Sequence, residues 1–213
     1  MTEIEKLTSD SDTRQRILDA AEVVFADKGR EAASVREILR LAGVKNIAAI
    51  NYHYGDKDRL YIEVVKHAHQ SCCFQTFPNW PDGIPAKVRL RDFIRTVVER
   101  MLQPARPTAL RLMMREMAQP TEACAEVVRN YIQPMAEILE RILADLRPDL
   151  PRPQRFLVAN SIVSQCLFYR QNKPIIELLM GPEMFGALNA ELLTEHITQF
   201  TLRALGIAQE PRP

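Results

Sequence analysis

The spacing of apolar residues is helical along nearly the whole chain, and nowhere does it change to the two-residue alternation of a strand. From Thr13 to Lys28, the residues Ile17, Leu18, Ala21, Val24 and Phe25 recur at i, i+4 and i+7, one face of a helix. Asp12 stands where an N-cap is expected, and Gly29 where a left-handed C-terminal cap is expected. A second, short helix is predicted after Ser34, with Glu37 completing a capping box and Val35, Ile38, Leu39 and Ala42 facing inward until Gly43 ends it. A third short helix covers Asn46 to Tyr52 before Gly55. Asp56 can cap a fourth, which carries Leu60, Val64, Val65 and Ala68 and runs to about Phe74. The expected fold class is therefore all-α.

Residues 74–85, with three prolines and a glycine, mark an irregular connection. Further helical segments are predicted at 86–103, 107–118, 121–146, 152–172 and 183–205. Pro85, Pro107 and Pro182 stand near helix starts, where a missing N–H costs little. Pro134 lies inside the third of these segments and should kink or divide it.

Composition narrows the function classes. The chain has 213 residues, 46% hydrophobic and 26% charged, ordinary values for a soluble globular protein, and a formal net charge of +1. No global field marks a nucleic-acid binder, so any such contact must be local. No apolar run approaches the roughly 20 residues of a membrane span, and the polar, acidic start is not a secretory signal. Four cysteines, Cys72, Cys73, Cys124 and Cys166, do not make a disulfide scaffold. A cytoplasmic location is expected, with no membrane partner. There is no nucleophile elbow, no glycine-rich phosphate loop and no H-E-x-x-H, so neither catalysis nor a cofactor is expected.

Two short helices joined around Gly43, after a longer first helix, form a helix-turn-helix pattern. In such a unit the second helix lies in the major groove, with small residues where backbone nears the bases and donors for phosphate at its flanks. The candidate reading helix, NIAAINYHYGDK, has Ile47 and Ile50 as inward anchors, Ala48 and Ala49 as slim positions and Asn46, Asn51, Tyr52 and His53 as polar tips. Arg36, Arg40, Lys45 and Lys57 outnumber Glu37 and Asp56 between residues 34 and 57, yet residues 1–60 hold 10 basic and 11 acidic side chains. On patterning alone, a bundle whose short helices merely fold back is an equal alternative.

The segments TRQRILDAAEVVFADKGREAASVREILRLAGV and AINYHYGDKDRLYIEVV resemble the N-terminal domain of TetR-type regulators over about residues 13–66. The likeness lies in an initial ILDAA helix, a G-x-x-x-x-S/T-V-x-x-I turn into helix two, and a Y-x-H-F/Y-x-x-K ending to helix three. The resemblance implies a sequence-specific DNA-binding transcriptional regulator, most simply a repressor released from a palindromic operator by a small-molecule effector. It implies DNA contacts from Arg36, Tyr52 and His53 and a phosphate held by Lys57, with Lys45, Asn46, Ala48 and Asn51 around them. Two positions depart from the pattern. The KNIAAI turn is one residue longer, and Asn51 replaces a common tyrosine, so a usual phosphate contact is absent or made by the amide.

The C-terminal half resembles, more loosely, the CecR-type branch through RLMMREMAQPT (111–121) and FYRQNKPIIELLMG (168–181), which implies an effector-binding and dimerisation domain. The expected organisation is a disordered arm (1–11), a DNA-binding domain (12–57), an effector and dimerisation domain (58–205) and a tail (206–213). Phe93, Met101, Met113, Glu116, Met117, Tyr131 and Met135 are the candidate effector lining, because methionine adapts to irregular volume; plain core, and a surface charge at Glu116, are the alternatives. LVANSIVSQCLF (157–168) is apolar almost all round. Leu157, Ile162 and Cys166, with Leu193, Ile197, Phe200 and Ala204, are expected at a four-helix homodimer interface, against the alternative of an internal core. Effector among helices five to eight would shift the fourth helix and change the spacing of the reading helices. His67, His69, Cys72 and Cys73 share faces of one helix, leaving a metal-responsive regulator as an alternative to packing residues. A helical adaptor that binds protein rather than DNA is the other.

Overall fold

The computed structural model describes residues 3–73 and 76–207, with side chains from residue 10 onward. The described residues form helices and connections with no strand. In order they are α1 (Glu3–Ala32), α2 (Val35–Leu41), α3 (Ala49–Tyr54), α4 (Lys57–Cys72), α5 (Ala86–Leu102), α6 (Pro107–Ala118), α7 (Glu122–Val127), α8 (Gln133–Leu146), α9 (Arg152–Gln171), α10 (Lys173–Met180), α11 (Pro182–Gly186) and α12 (Ala190–Ala204). Packing divides them into two compact units: α1 to α4 with α6 and α7, and α5 with α8 to α12. The boundary expected at residue 57 is therefore not where packing divides. The fourth helix, placed with the second domain from sequence, buries Leu60, Tyr61, Val64, Val65 and Ala68 in the same cluster as Ile17, Ala21 and Phe25 of α1.

Several local expectations are corrected. The first helix starts at Glu3, not after a cap at Asp12; Asp12 instead pairs with Arg16 one turn on, at 3.0 Å. The disordered arm of 1–11 thus overlaps helix, and residues 1 and 2 lie outside the described ones. Gly29 has φ 77° and ψ 174°, positive but not helical, so it breaks α1 before a last short turn. Ser34 flanks α2 without a side-chain cap bond, and the capping box is not completed, the Glu37 carboxylate being held by the Lys28 ammonium at 2.7 Å. Asp56 does cap α4, its Oδ1 accepting the Arg59 N–H at 2.8 Å. The fourth helix ends at Cys72, and the expected end at Phe74 falls outside the described residues.

The 121–146 segment divides as Pro134 required. Thr121 caps α7, a π-helical turn spans Val128–Ile132, and Pro134 sits in the first turn of α8 where it lacks no needed bond. The segment from 183 does not form one helix: α11 stops at Gly186 and Asn189 caps α12 by accepting the Leu192 N–H. No helix among the described residues is long and apolar enough to cross a membrane. Of the tail, residues 208–213 lie outside the described ones, while Ile207 packs on the core of the second unit.

Candidate nucleic-acid interface

Helix α1 is the scaffold on which α2 and α3 are held. Ile38 and Leu39 of α2, and Ala49, Ile50 and Tyr54 of α3, are buried in the cluster built on α1 and α4. Tyr54 also donates its hydroxyl to the Arg14 carbonyl at 2.7 Å, while the Arg14 guanidinium lies 5.0 Å from its ring centre. Burial pushes the Tyr54 hydroxyl up to about 12, despite the opposing charge of Arg14, so it stays a neutral donor. Arg16 reaches the Ala42 carbonyl, fixing the end of α2.

The turn between the two short helices closes in two steps. Gly43, at φ 66°, donates to the Arg40 carbonyl and Val44 to that of Leu39, a Schellman ending that only a residue comfortable at positive φ allows. Asn46 then accepts the Ala48 N–H on its side-chain oxygen at 2.9 Å, and Ala49 donates to the Asn46 carbonyl. This Asx turn absorbs the extra residue of KNIAAI before the helix begins, so the third helix starts at Ala49 rather than Asn46.

The register that results exposes Arg36, Arg40, Lys45, Asn46, Ile47, Ala48, Asn51 and Tyr52, with Ile47 57% and Tyr52 75% accessible. No ion pair or hydrogen bond joins Arg36, Arg40 or Lys45 to another described residue, and Glu37, the acidic residue among them, is neutralised by Lys28. Ile47 is therefore not the inward anchor expected; Ile50 and Ala49 fill that role. A one-residue shift in helix start accounts for the reversal.

Two other expected contacts are placed differently. The His53 side chain is only 6% accessible, with its Nε2 3.7 Å from Asp10 and its ring edge-on to Tyr52. Lys57 directs its ammonium at the carbonyls of Ala33 (3.3 Å) and Glu31 (3.4 Å), where the last turn of α1 leaves acceptors unmatched. Both side chains are thus engaged by residues of their own unit. Their sequence motif gave no sign of this, because a lysine near a helix end serves a phosphate or a carbonyl equally well.

The remaining sites separate by unit. Phe93, Met101 and Met135 belong to the second unit, whose core buries Phe93 and Met101; Met113, Glu116, Met117 and Tyr131 belong to the first. Glu116 is no surface charge. It is 2% accessible and accepts bonds from the Tyr61 hydroxyl and from the N–H and hydroxyl of Thr121. His67 lies beside Glu22 and Arg106, and His69 stacks on Tyr131 with ring centres 5.1 Å apart. Among the described residues no three His, Cys, Asp or Glu side chains are grouped to hold a metal.

The expected dimer stripe mixes two faces. Ile162, Cys166, Leu193 and Ile197 are buried in the second unit's own core, as its internal alternative required, whereas Leu157, Phe200 and Ala204 are exposed. The exposed stripes run one position aside: Leu157, Ser161, Ser164 and Phe168 on α9, and Leu192, His196, Phe200 and Ala204 on α12.

Comparison with known proteins bears on both units. Residues 17–64 match the model of bacterial regulatory proteins of the tetR family, and residues 86–206 match that of the C-terminal domain of the HTH-type transcriptional dual regulator CecR. The CecR regulator of Shigella flexneri is 25% identical over 197 residues, covering 87% of each chain. The transcriptional repressor AcnR of Corynebacterium efficiens is 39% identical over 54 residues, 25% of this chain and 28% of that one. In fold the chain is similar to HlyIIR, a hemolysin II transcriptional regulator (TM-score 0.55, 21% identity, 89% and 98% covered). It is similar also to AibR, solved with isovaleryl coenzyme A and operator DNA (TM-score 0.58, 18% identity, 88% and 97% covered). The expected family and fold are thereby confirmed: the chain belongs to the TetR family, with a C-terminal domain of the CecR type, and is a DNA-binding transcriptional regulator.

Proposed function

We propose that the chain represses transcription from a palindromic operator as a two-fold homodimer and is released by a small-molecule effector. The observation that carries this reading is the exposed face of α2 and α3, where three basic side chains free of other described residues surround a slim, polar turn. Arg36, Arg40 and Lys45 supply phosphate donors, and Asn46, Ala48, Asn51 and Tyr52 supply groove contacts. Ile47 joins them as an apolar contact suited to a thymine methyl. His53 and Lys57 act by positioning α3 and the end of α1, not by touching DNA.

The dimer is formed through the exposed stripes of α9 and α12. Four helices packed about a two-fold axis would cover Leu157, Phe168, Leu192 and Phe200, large apolar groups otherwise left in water. A two-fold protein reads two half-sites one helical turn, or a multiple, apart. Effector binding in the helical C-terminal domain changes that spacing and lowers operator affinity. That AibR was solved with both an acyl coenzyme A and operator DNA supports an effector, and the name of the CecR relative, a dual regulator, favours activation at some promoters as a second reading.

Selection from a random duplex library tests the proposal. An inverted repeat should be enriched, and its affinity should fall steeply with salt. No retardation of any duplex at low salt would overturn it.

A further inference from the structure

Within the second unit, the connection between α4 and α5 and the face of α8 enclose a cleft of about 510 Å³, inside the range of roughly 300–1,000 Å³ typical of small-molecule sites. One wall is Phe77 to Trp80 of that connection, which are pinned rather than loose. Phe77 stacks on Phe93 with centres 4.6 Å apart and planes 7° from parallel, and the Trp80 indole donates to Asp92 at 3.0 Å. Ile138 and Ile142 of α8 form the opposite wall. The interior is thus aromatic on one side and aliphatic on the other.

Its charged side chains are not all paired with one another. Asp145 is held by Arg89 at 2.7 Å, and Glu140 by Arg155. Arg141, exposed at the cleft, has no ion pair or hydrogen bond to another described residue. The Arg141 guanidinium thus stands unengaged beside the two apolar walls. We infer that this cleft binds a small aromatic monoanion, its ring between Trp80 and the isoleucines and its carboxylate on Arg141. An amine gains little there, because Asp145 and Glu140 already have their arginines and Asp92 is engaged by the Trp80 indole. A dianion has one partner for two charges and meets Glu140 and Asp145 close by. The guanidinium suits a planar carboxylate, which it can grip with two parallel N–H donors.

The inference deepens the effector reading by naming a ligand class and a place, and it can be tested without DNA. Trp80 is the one tryptophan of the chain, so its emission reports on this cleft. The full-length protein is titrated with 2-naphthoate and with its neutral amide, 2-naphthamide, and the same pair is run on Arg141→Gln. Saturable quenching by naphthoate is expected, with at least fivefold weaker binding of the amide. Arg141→Gln, an exposed change whose fold is checked by circular dichroism, should weaken naphthoate at least fivefold and leave the amide unchanged. Absence of saturable quenching, equal binding of acid and amide, or an unchanged naphthoate affinity in Arg141→Gln would each overturn the assignment. Those outcomes leave operator binding untouched, so the two readings fail separately.

Discussion

In the first unit the buried polar groups include two carboxylates, and both are saturated. Glu22 of α1 is 2% accessible and meets the Thr108 hydroxyl, the Arg106 guanidinium at 2.8 Å and His67 at 3.6 Å. Burial alone would raise its pKa, but bonds from His67 and Thr108 and the charge of Arg106 outweigh that and hold it below the usual value. Glu116 is bound from α4 and from the start of α7. In the second unit the polar residues buried whole are threonines, Thr194, Thr198 and Thr201 on α12, and the hydroxyl oxygens of the first two have no hydrogen-bond partner among the described residues. That unit also leaves Phe156, Leu157, Phe168, Ile175, Leu178, Leu179, Met184, Leu192 and Phe200 exposed. Directional bonds fix one geometry, as a reading head requires. An apolar core with apolar stripes outside it packs tolerantly and gains most from a second copy.

The sharpest break in that contrast is a charge on the stripes. Replacing Leu157 and Phe200 together by Glu should convert a dimer to a monomer in sedimentation velocity and weaken operator binding at least a hundredfold, with helical content unchanged by circular dichroism. The same double change has no counterpart in the first unit, where the exposed apolar residues on the reading face are few. A dimer that survives it would place the interface elsewhere.

Acid should act on the first unit through His69. Burial pushes its pKa from 6.5 down to about 4, and its Nδ1 has no partner among the described residues. Its folded value lies below its unfolded one, so between pH 6.5 and 4.5 only the unfolded chain takes up the proton. Stability is therefore present above 6.5 and is lost as pH falls, by about 2 kcal/mol over that window. Glu22 works the same way, but its loss begins only as pH drops below its unfolded value of 4.5. Urea midpoints at pH 7.0 and 4.7 separate the two, and His69→Phe should flatten the difference. A midpoint as pH-sensitive in His69→Phe as in the parent would remove His69 as the cause. At neutral pH, Glu116→Gln should cost about 2 kcal/mol and Tyr61→Phe about 1, since bonds to a charged acceptor exceed neutral ones.

The sequence made some of this legible and hid the rest for physical reasons. The all-α class and the division at Pro134 were readable, because a ring without an N–H acts locally; α10 and the break between α11 and α12 were not. The buried faces of α1 and α2 were readable from period alone. The start of α3 was not: Asn46 uses its own side chain to replace a helical turn, and that choice moves Ile47 from inside to outside. The stripe on α12 failed differently. Leu192 and Leu193 are adjacent and both apolar, so period alone cannot decide which faces the core; the packing of α5 against α12 decides it. The buried state of Glu22 and Glu116 was hidden because their partners lie 84 and 55 residues away in sequence.

On the reading face, Arg36→Ala should weaken operator binding about fivefold and reduce its salt slope by about one, with stability unchanged, as expected of a single phosphate contact. Lys57 offers the smaller and more discriminating effect. If its ammonium held a phosphate, Lys57→Met would behave as Arg36→Ala does. Its bonds to the Ala33 and Glu31 carbonyls predict the reverse, a loss of about 0.5–1 kcal/mol in urea stability with the salt slope intact. The carbonyls lie at and just beyond the end of α1, on which α2 and α3 depend, so operator affinity should fall less than stability does. A slope reduced by one in Lys57→Met, at unchanged urea midpoint, would return this lysine to the DNA and leave the end of α1 to water.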